Sequence, residues 1–176
     1  MDKKYIIREV SPSEYQELGD ITVKGYEQLP GMPNASEQPD YYAMLYDVKT
    51  RASNPTTEIL VAVTPQGELL GGVTFIGDVK YYASGGSVTQ NVDCSGIRLL
   101  VVKQEARNSG VGKALTQACI QRAKNIGTSQ VILHSTKSMT IAWKMYRKMG
   151  FMRSPDLDFT QGKLPVYGFR LKFSAN

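Results

Sequence analysis

The run Arg107-Asn108-Ser109-Gly110-Val111-Gly112-Lys113 holds the residue types that a bound anion needs. Glycine lets the backbone approach a ligand closely and take turn dihedrals that a side chain forbids. If a helix opens at this point, the unpaired N–H groups of its first turn and its dipole favour negative charge. Arg107 and Lys113 add positive charge beside them. Two familiar phosphate loops do not fit, because Lys113 is followed by Ala114 instead of Ser or Thr, and position 115 is leucine instead of a third glycine. Alone, the pattern also suits an ordinary glycine-rich helix start. Tyr146, 39 positions after Arg107, carries a phenol that can give a proton, and His134, the single histidine, can accept one near neutral pH. Each has a plainer reading as well. Tyr146 shares its segment with Ala142, Met145 and Met149 and suits packing, and a histidine in a sheet can simply be satisfied there or by a loop carbonyl. One histidine excludes a His-rich metal site. Cys94 and Cys119 match neither a zinc spacing nor a disulfide framework, and Cys119 suits the buried side of a helix.

These residues need elements to position them. Tyr5 to Val10 suits a first strand. Ser11-Pro12-Ser13-Glu14 is a helix start with a cap, a proline at the first helical position and a capping-box carboxylate, and that helix should run to about Leu29. A second helix is expected over Asp40–Ala52, then a hairpin of Glu58–Thr64 and Leu69–Ile76 about the turn Pro65-Gln66-Gly67-Glu68. Residues 77–95 read as a long polar loop. Gly96–Val102 is apolar on both alternating faces from Leu99 onward, the mark of a central strand. A helix over about Gly110–Ile126 follows, then the strand Gln130–His134, a helix over about Ser138–Met149 ended by Gly150-Phe151, and strands near Phe151–Arg153 and Pro165–Phe173. The order calls for a mixed sheet, parallel in its second half and covered by helices.

The length of 176 residues suits one domain over 1–176. An apolar share of 41% and a charged share of 21% exclude a disordered chain. No run approaches the ~18 apolar residues of a membrane span. The start, Met1 to Glu9, lacks the apolar segment of a signal peptide, so the expectation is a soluble, cytoplasmic protein. A formal charge of +5 favours anionic ligands and is modest for a nucleic-acid binder.

Taken together, Arg107-x-x-Gly110-x-Gly112 and the segment Ala142 to Phe151 resemble the GCN5-related N-acetyltransferase (GNAT) superfamily. The resemblance covers Gly96 to Phe151 in motif and spacing, and the earlier residues by element order only. It implies an α/β (α+β) fold with a mixed sheet of about seven strands, splayed between strands 4 and 5 and flanked by about four helices. It implies acetyl-CoA as acetyl donor and no metal. The backbone of Leu100, Val101 and Val102 would pair with the pantetheine arm, and the stretch from Arg107 through Asn108, Ser109, Gly110, Val111 and Gly112 to Lys113 would hold the diphosphate. Tyr146 would be the general acid. His134 stands where many relatives carry a glutamate that relays the substrate's proton. The carboxylate that relatives place early in the preceding strand is missing, since Gly96 takes that place with Asp93 the nearest acid, and Met139 replaces a frequent asparagine. The base therefore stays open between His134 and water. Tyr26, Tyr41, Tyr42, Tyr81 and Tyr82 fall in the regions that form the family's acceptor side, where packing is the plainer role for them.

The reaction implied is direct transfer to a primary amine of a small molecule or peptide in a ternary complex. A toxin-like enzyme acetylating aminoacyl-tRNA is an alternative on account of Lys144, Arg147 and Lys148, although no basic run with interleaved aromatics supports nucleic acid as a partner. A non-catalytic acyl-CoA-binding module is another. Homodimers are frequent in the resembling family, and no segment announces an interface.

Overall fold

The computed structural model describes residues 4–82 and 86–174. Met1–Lys3 and Gly85 of the expected loop lie outside the described residues. The elements run β1 (Ile6–Glu9), α1 (Tyr15–Glu27), α2 (Pro39–Tyr46), α3 (Val48–Ala52), β2 (Thr57–Val63), β3 (Leu69–Ile76), β4 (Cys94–Val102), α4 (Val111–Ile126), β5 (Gln130–Ser135), α5 (Thr140–Lys148), β6 (Met152–Arg153), β7 (Phe159–Gln161) and β8 (Leu164–Lys172). Five single-turn 3-10 segments punctuate them. The strand order is β1-β2-β3-β4-β5-β8-β6, with β7 on β8. This is the mixed α+β architecture that the sequence leads one to expect, with one strand and one helix more.

Each difference has a local cause. The second helix breaks in two because Asp47 leaves helical geometry (φ −81°, ψ 72°) and its carboxylate caps Thr50 N–H at 3.0 Å, starting α3. The first turn before α1 is 3-10 over Pro12–Glu14, with Glu14 accepting from Ser11 N–H at 2.8 Å and from Arg8 at 2.6 Å. β7 is three residues long, too short for a period-2 signal. The segment read as a polar loop carries two 3-10 turns, Val79–Tyr81 and Val88–Gln90, and β4 starts two residues earlier than expected.

The chain forms two compact units, one of the residues to Thr74 with Leu99–Ala118, the other of Phe75–Arg98 with Cys119 onward. In the first, β1 runs antiparallel to β2 in the register Ile6↔Val63 to Glu9↔Leu60, and Leu60, Val61 and Ala62 are buried on both faces. Gly19 permits a close crossing of α1 on α2, since a Cβ there would stand 2.4 Å from Tyr46 O. In the second unit β5 pairs antiparallel with β8 from Gln130↔Lys172 to Ser135↔Tyr167. The parallel register of β4 with β5 runs from Cys94↔Gln130 to Ile97↔Leu133 and stops there, although both strands continue. Two residues later Leu99 takes φ +55°, a left-handed backbone that interrupts strand alternation. Along α4 the residues Val111, Leu115, Cys119 and Ala123 are buried at a spacing of four, the apolar stripe of an amphipathic helix.

Candidate functional site

In the first unit the end of β4 leads into the glycine loop. Lys103 N–H donates to Leu70 O at 2.8 Å, and Val101 O is turned to β3, within 2.4 Å of where a Cβ at Gly71 would stand. Backbone groups alternate along a strand. Lys103 thus spends its N–H on β3. Tyr26 Oη–H reaches Leu100 O at 3.4 Å, and Arg107 Nε–H reaches Val102 O at 3.4 Å.

The loop itself is exposed from Arg107 to Gly110. Arg107 is extended, Asn108 is left-handed at φ +62°, and Gly110 is left-handed at φ +87°. Alternation of this kind turns successive amides to one side and makes an anion-binding concavity. The first backbone bond of α4 is Ala114 N–H to Gly110 O at 2.9 Å, so the amides of Val111, Gly112 and Lys113 precede the helical ladder. Ser109 Oγ–H is tied to Ala106 O. Tyr5, just before β1, brings its hydroxyl to 3.4 Å from the place a Cβ would take on Gly110. A cavity of about 250 Å³ adjoins the loop, walled by Asp20 and Lys24 of α1 and by Val102, Lys103 and Arg107. Unpaired amides, two cations and a bare Cα fit a diphosphate group.

Tyr146 lies on α5 in the second unit. The helix ends in a Schellman motif: Gly150 takes φ +100°, its N–H donates to Arg147 O at 3.1 Å, and Phe151 N–H donates to Tyr146 O at 3.0 Å. The accompanying apolar contact is Phe151 against the Tyr146 ring, edge to face at 5.7 Å between centroids. Phe169 of β8 packs on the same ring at 6.3 Å. The ring is therefore locked, and its hydroxyl makes no hydrogen bond among the described residues. Burial, then the nearby Tyr82 and Cys119, push the phenol well above its usual range, so it stays protonated across neutral pH.

His134, on β5, is held at both ring nitrogens. Nε2 lies 2.6 Å from Leu157 O and Nδ1 lies 3.2 Å from Tyr82 Oη. Phe159 meets the ring edge at 4.9 Å. Burial lowers its affinity for a proton; the bond to Leu157 O opposes this, Arg98 lowers the affinity further, and Asp158 raises it. The space beside Gly96 is filled by the Tyr82 ring, whose nearest atom would lie 2.5 Å from a Cβ. Of the acceptor-side tyrosines, Tyr42 donates to Pro33 O at 2.6 Å and meets Tyr41 edge to face, while Lys80 covers the Tyr81 ring.

The cofactor-loop residues thus come together in the first unit, and Tyr146 and His134 both belong to the second. Sequence reasoning gave no site role to Tyr5, Arg98 or the Leu157 carbonyl, and weighed Tyr82 only for the acceptor side. Tyr82 sits in a 3-10 turn, and the one hint to its burial was the apolar pair Val79-x-x-Tyr82.

The sheet is mixed, its parallel pair β4–β5 loses register two residues before left-handed Leu99, and β4 leads into the glycine-opened helix α4. The acetyltransferase (GNAT) family pattern matches residues 22–151, and the chain belongs to that family. It is 41% identical over 61 residues, 35% of its length, to mycothiol acetyltransferase of Pseudarthrobacter chlorophenolicus, of which it spans about a fifth (19%). It shares its fold with the PaiA N-acetyltransferase of Thermoplasma acidophilum in complex with coenzyme A (TM-score 0.73, 17% identity, 96% of this chain and 99% of that one). The same holds for YncA of Salmonella typhimurium with its cofactor acetyl-CoA (TM-score 0.66, 15% identity, 98% and 95%). Among the described residues no helix is long and apolar enough to cross a membrane.

Proposed function

We propose that the chain is an acetyl-CoA-dependent N-acetyltransferase acting on a primary amine of a small molecule or peptide by direct attack in a ternary complex. The observation that carries this reading is the loop before Ala114, where left-handed Asn108 and Gly110 precede three amides outside the helical ladder. Family membership and the coenzyme complexes of the fold's relatives support it. Acetyl-CoA, when bound, supplies the acetyl group as an activated thioester. The amides of Asn108–Lys113, with the cations of Arg107 and Lys113 and the Tyr5 hydroxyl, hold the diphosphate. The backbone of Leu100, Val101 and Val102 offers a strand to the pantetheine arm. In transfer from the thioester to an amine, Tyr146 Oη–H would be the group that gives a proton to the leaving thiol, and His134 or a water would take the proton that the amine loses.

The test is CoA release across a panel of amines, polyamines, aminoglycosides, amino acids and peptides, followed by Tyr146→Phe on the best acceptor. The expected result is a rate lower by about 10²–10⁴-fold with the Kd for acetyl-CoA kept, the scale of one acid–base group. An unchanged rate overturns the acid role. Acetyl-CoA binding with no turnover on any acceptor would favour a binding module instead.

A further inference from the structure

His134 is flanked by two glycines whose missing side chains admit its partners. On β4, a Cβ at Gly96 would stand 2.5 and 2.6 Å from Tyr82 ring atoms. On β8, a Cβ at Gly168, the register partner of His134, would stand 2.3 Å from Leu157 Cβ. Each glycine thus lets one segment lie on the sheet, and each segment delivers one oxygen to the imidazole. A carbonyl can only accept, so the 2.6 Å contact to Leu157 O puts a proton on Nε2. In the neutral ring Nδ1 is then a bare acceptor, and Tyr82 Oη–H at 3.2 Å is its donor. The same hydroxyl also lies 3.1 Å from Ile97 O. A phenol has one proton and cannot serve both acceptors fully. When the ring is charged, Nδ1–H donates to Tyr82 Oη, and the phenol proton turns to Ile97 O.

We propose that Tyr82 is the positioning residue of His134, its hydroxyl donating to Nδ1 when the ring is neutral and to the Ile97 carbonyl when the ring is charged. Both ring nitrogens then keep a partner whether the ring is neutral or charged, which matters because Tyr82 is 1% exposed. The charged groups around it are few. From β4, Arg98 lies 5.3 Å over the Tyr82 ring, donates to Tyr82 O at 2.9 Å and disfavours the cation. After Leu157, Asp158 favours it, held by Arg153 at 2.8 and 2.9 Å and by Gly168 N–H at 2.7 Å. In the turn before Tyr82, Lys80 is exposed and pairs with Asp78 at 3.7 Å. β7 brings Phe159 to the ring edge. The catalytic meaning of this arrangement rests on the reading of His134 as proton acceptor; the hydrogen-bond exchange does not.

The chain has one histidine, so ¹⁵N-histidine labelling of the whole protein gives one pair of ring resonances to titrate. The neutral form should carry its proton on Nε2, and the Ile97 carbonyl ¹³C resonance should move with the same midpoint as the ring. In Tyr82→Phe the carbonyl should cease to follow. The midpoint should fall by about half to one unit, because a charge-assisted acceptor is lost from the cation and only a neutral donor from the free base. A neutral ring protonated on Nδ1, or an Ile97 carbonyl indifferent to the titration in the unsubstituted protein, overturns the proposal without any variant having to fold. So does an Ile97 carbonyl that still titrates in Tyr82→Phe. If the exchange is present while the rate profile shows no limb at the ring's midpoint, the proton-acceptor reading fails and the positioning role stands.

Discussion

A tyrosine and a histidine proposed to move protons in one enzyme need opposite settings, and burial gives both. For Tyr146 it disfavours the phenolate, keeping the proton to be given; for His134 it disfavours the imidazolium, keeping the lone pair to receive. The pH dependence follows. His134 titrates below its usual 6.5, so the rate should be flat above that value and fall toward acid, and His134→Gln should remove this limb. No alkaline limb from Tyr146 is expected below pH ~10. Stability has the same sign. The folded state binds fewer protons than the unfolded chain between 6.5 and the lowered midpoint, so this contribution is complete above 6.5 and is lost as pH falls through the folded midpoint. Urea unfolding at stepped pH checks it, and His134→Gln should flatten that part of the curve. The free thiols stand apart from this chemistry: Cys94 is buried and pushed up to about 12, which leaves it without thiolate at neutral pH.

The elements hold these groups through backbone devices more than through side-chain bonds. Gly150 at φ +100° closes α5 and seats Phe151 on Tyr146, and a Cβ there would also stand 3.2 Å from Leu171 Cδ1. Gly150→Ala should destabilise the fold by about 1–2 kcal/mol from the left-handed backbone alone, read as a lower urea midpoint. It should also lower activity through a displaced Tyr146. Gly168→Ala is a harsher change, because the Cβ meets Leu157 Cβ and Ser154 O at 2.3 and 3.0 Å. The turn over His134 must lift, and the 2.6 Å bond to Leu157 O should open with it, so the ring's midpoint shifts even where the fold survives. The first of these devices was legible in the sequence, since a Gly-Phe pair after a helical stripe signals its own geometry within a few residues, and so does glycine before α4. The second was not. Tyr82 and Leu157 reach His134 across 52 and 23 residues from single 3-10 turns, with no period to betray them. Asp47 was hidden for another reason: its position continues the helical spacing of α2, and only its dihedrals show that it ends one helix and caps the next.

At the scale of the whole molecule, the formal charge of +5 and the exposed cations of the loop favour a polyanionic cofactor end, and binding that selects the folded chain must raise its stability. At a concentration 100 times its Kd, acetyl-CoA should add about 2.7 kcal/mol. For a chain of this length that is a rise in Tm of about 5–11 °C. Added salt should shrink the rise, since exposed charges are screened beyond ~10 Å at 0.1 M. Gly110→Glu separates the loop from the rest. The site is open, the Tyr5 hydroxyl standing 3.4 Å from a new Cβ among the described residues, so the cost without ligand should be the left-handed backbone strain of about 1–2 kcal/mol. The carboxylate would nevertheless stand among the amides proposed for the diphosphate and repel it. The expected outcome is a variant that still unfolds cooperatively at a slightly lower temperature and no longer responds to acetyl-CoA. A variant that keeps the full ligand-induced rise would mean that the amides before Ala114 do not hold the diphosphate, and the binding mode would have to be sought on another part of the chain.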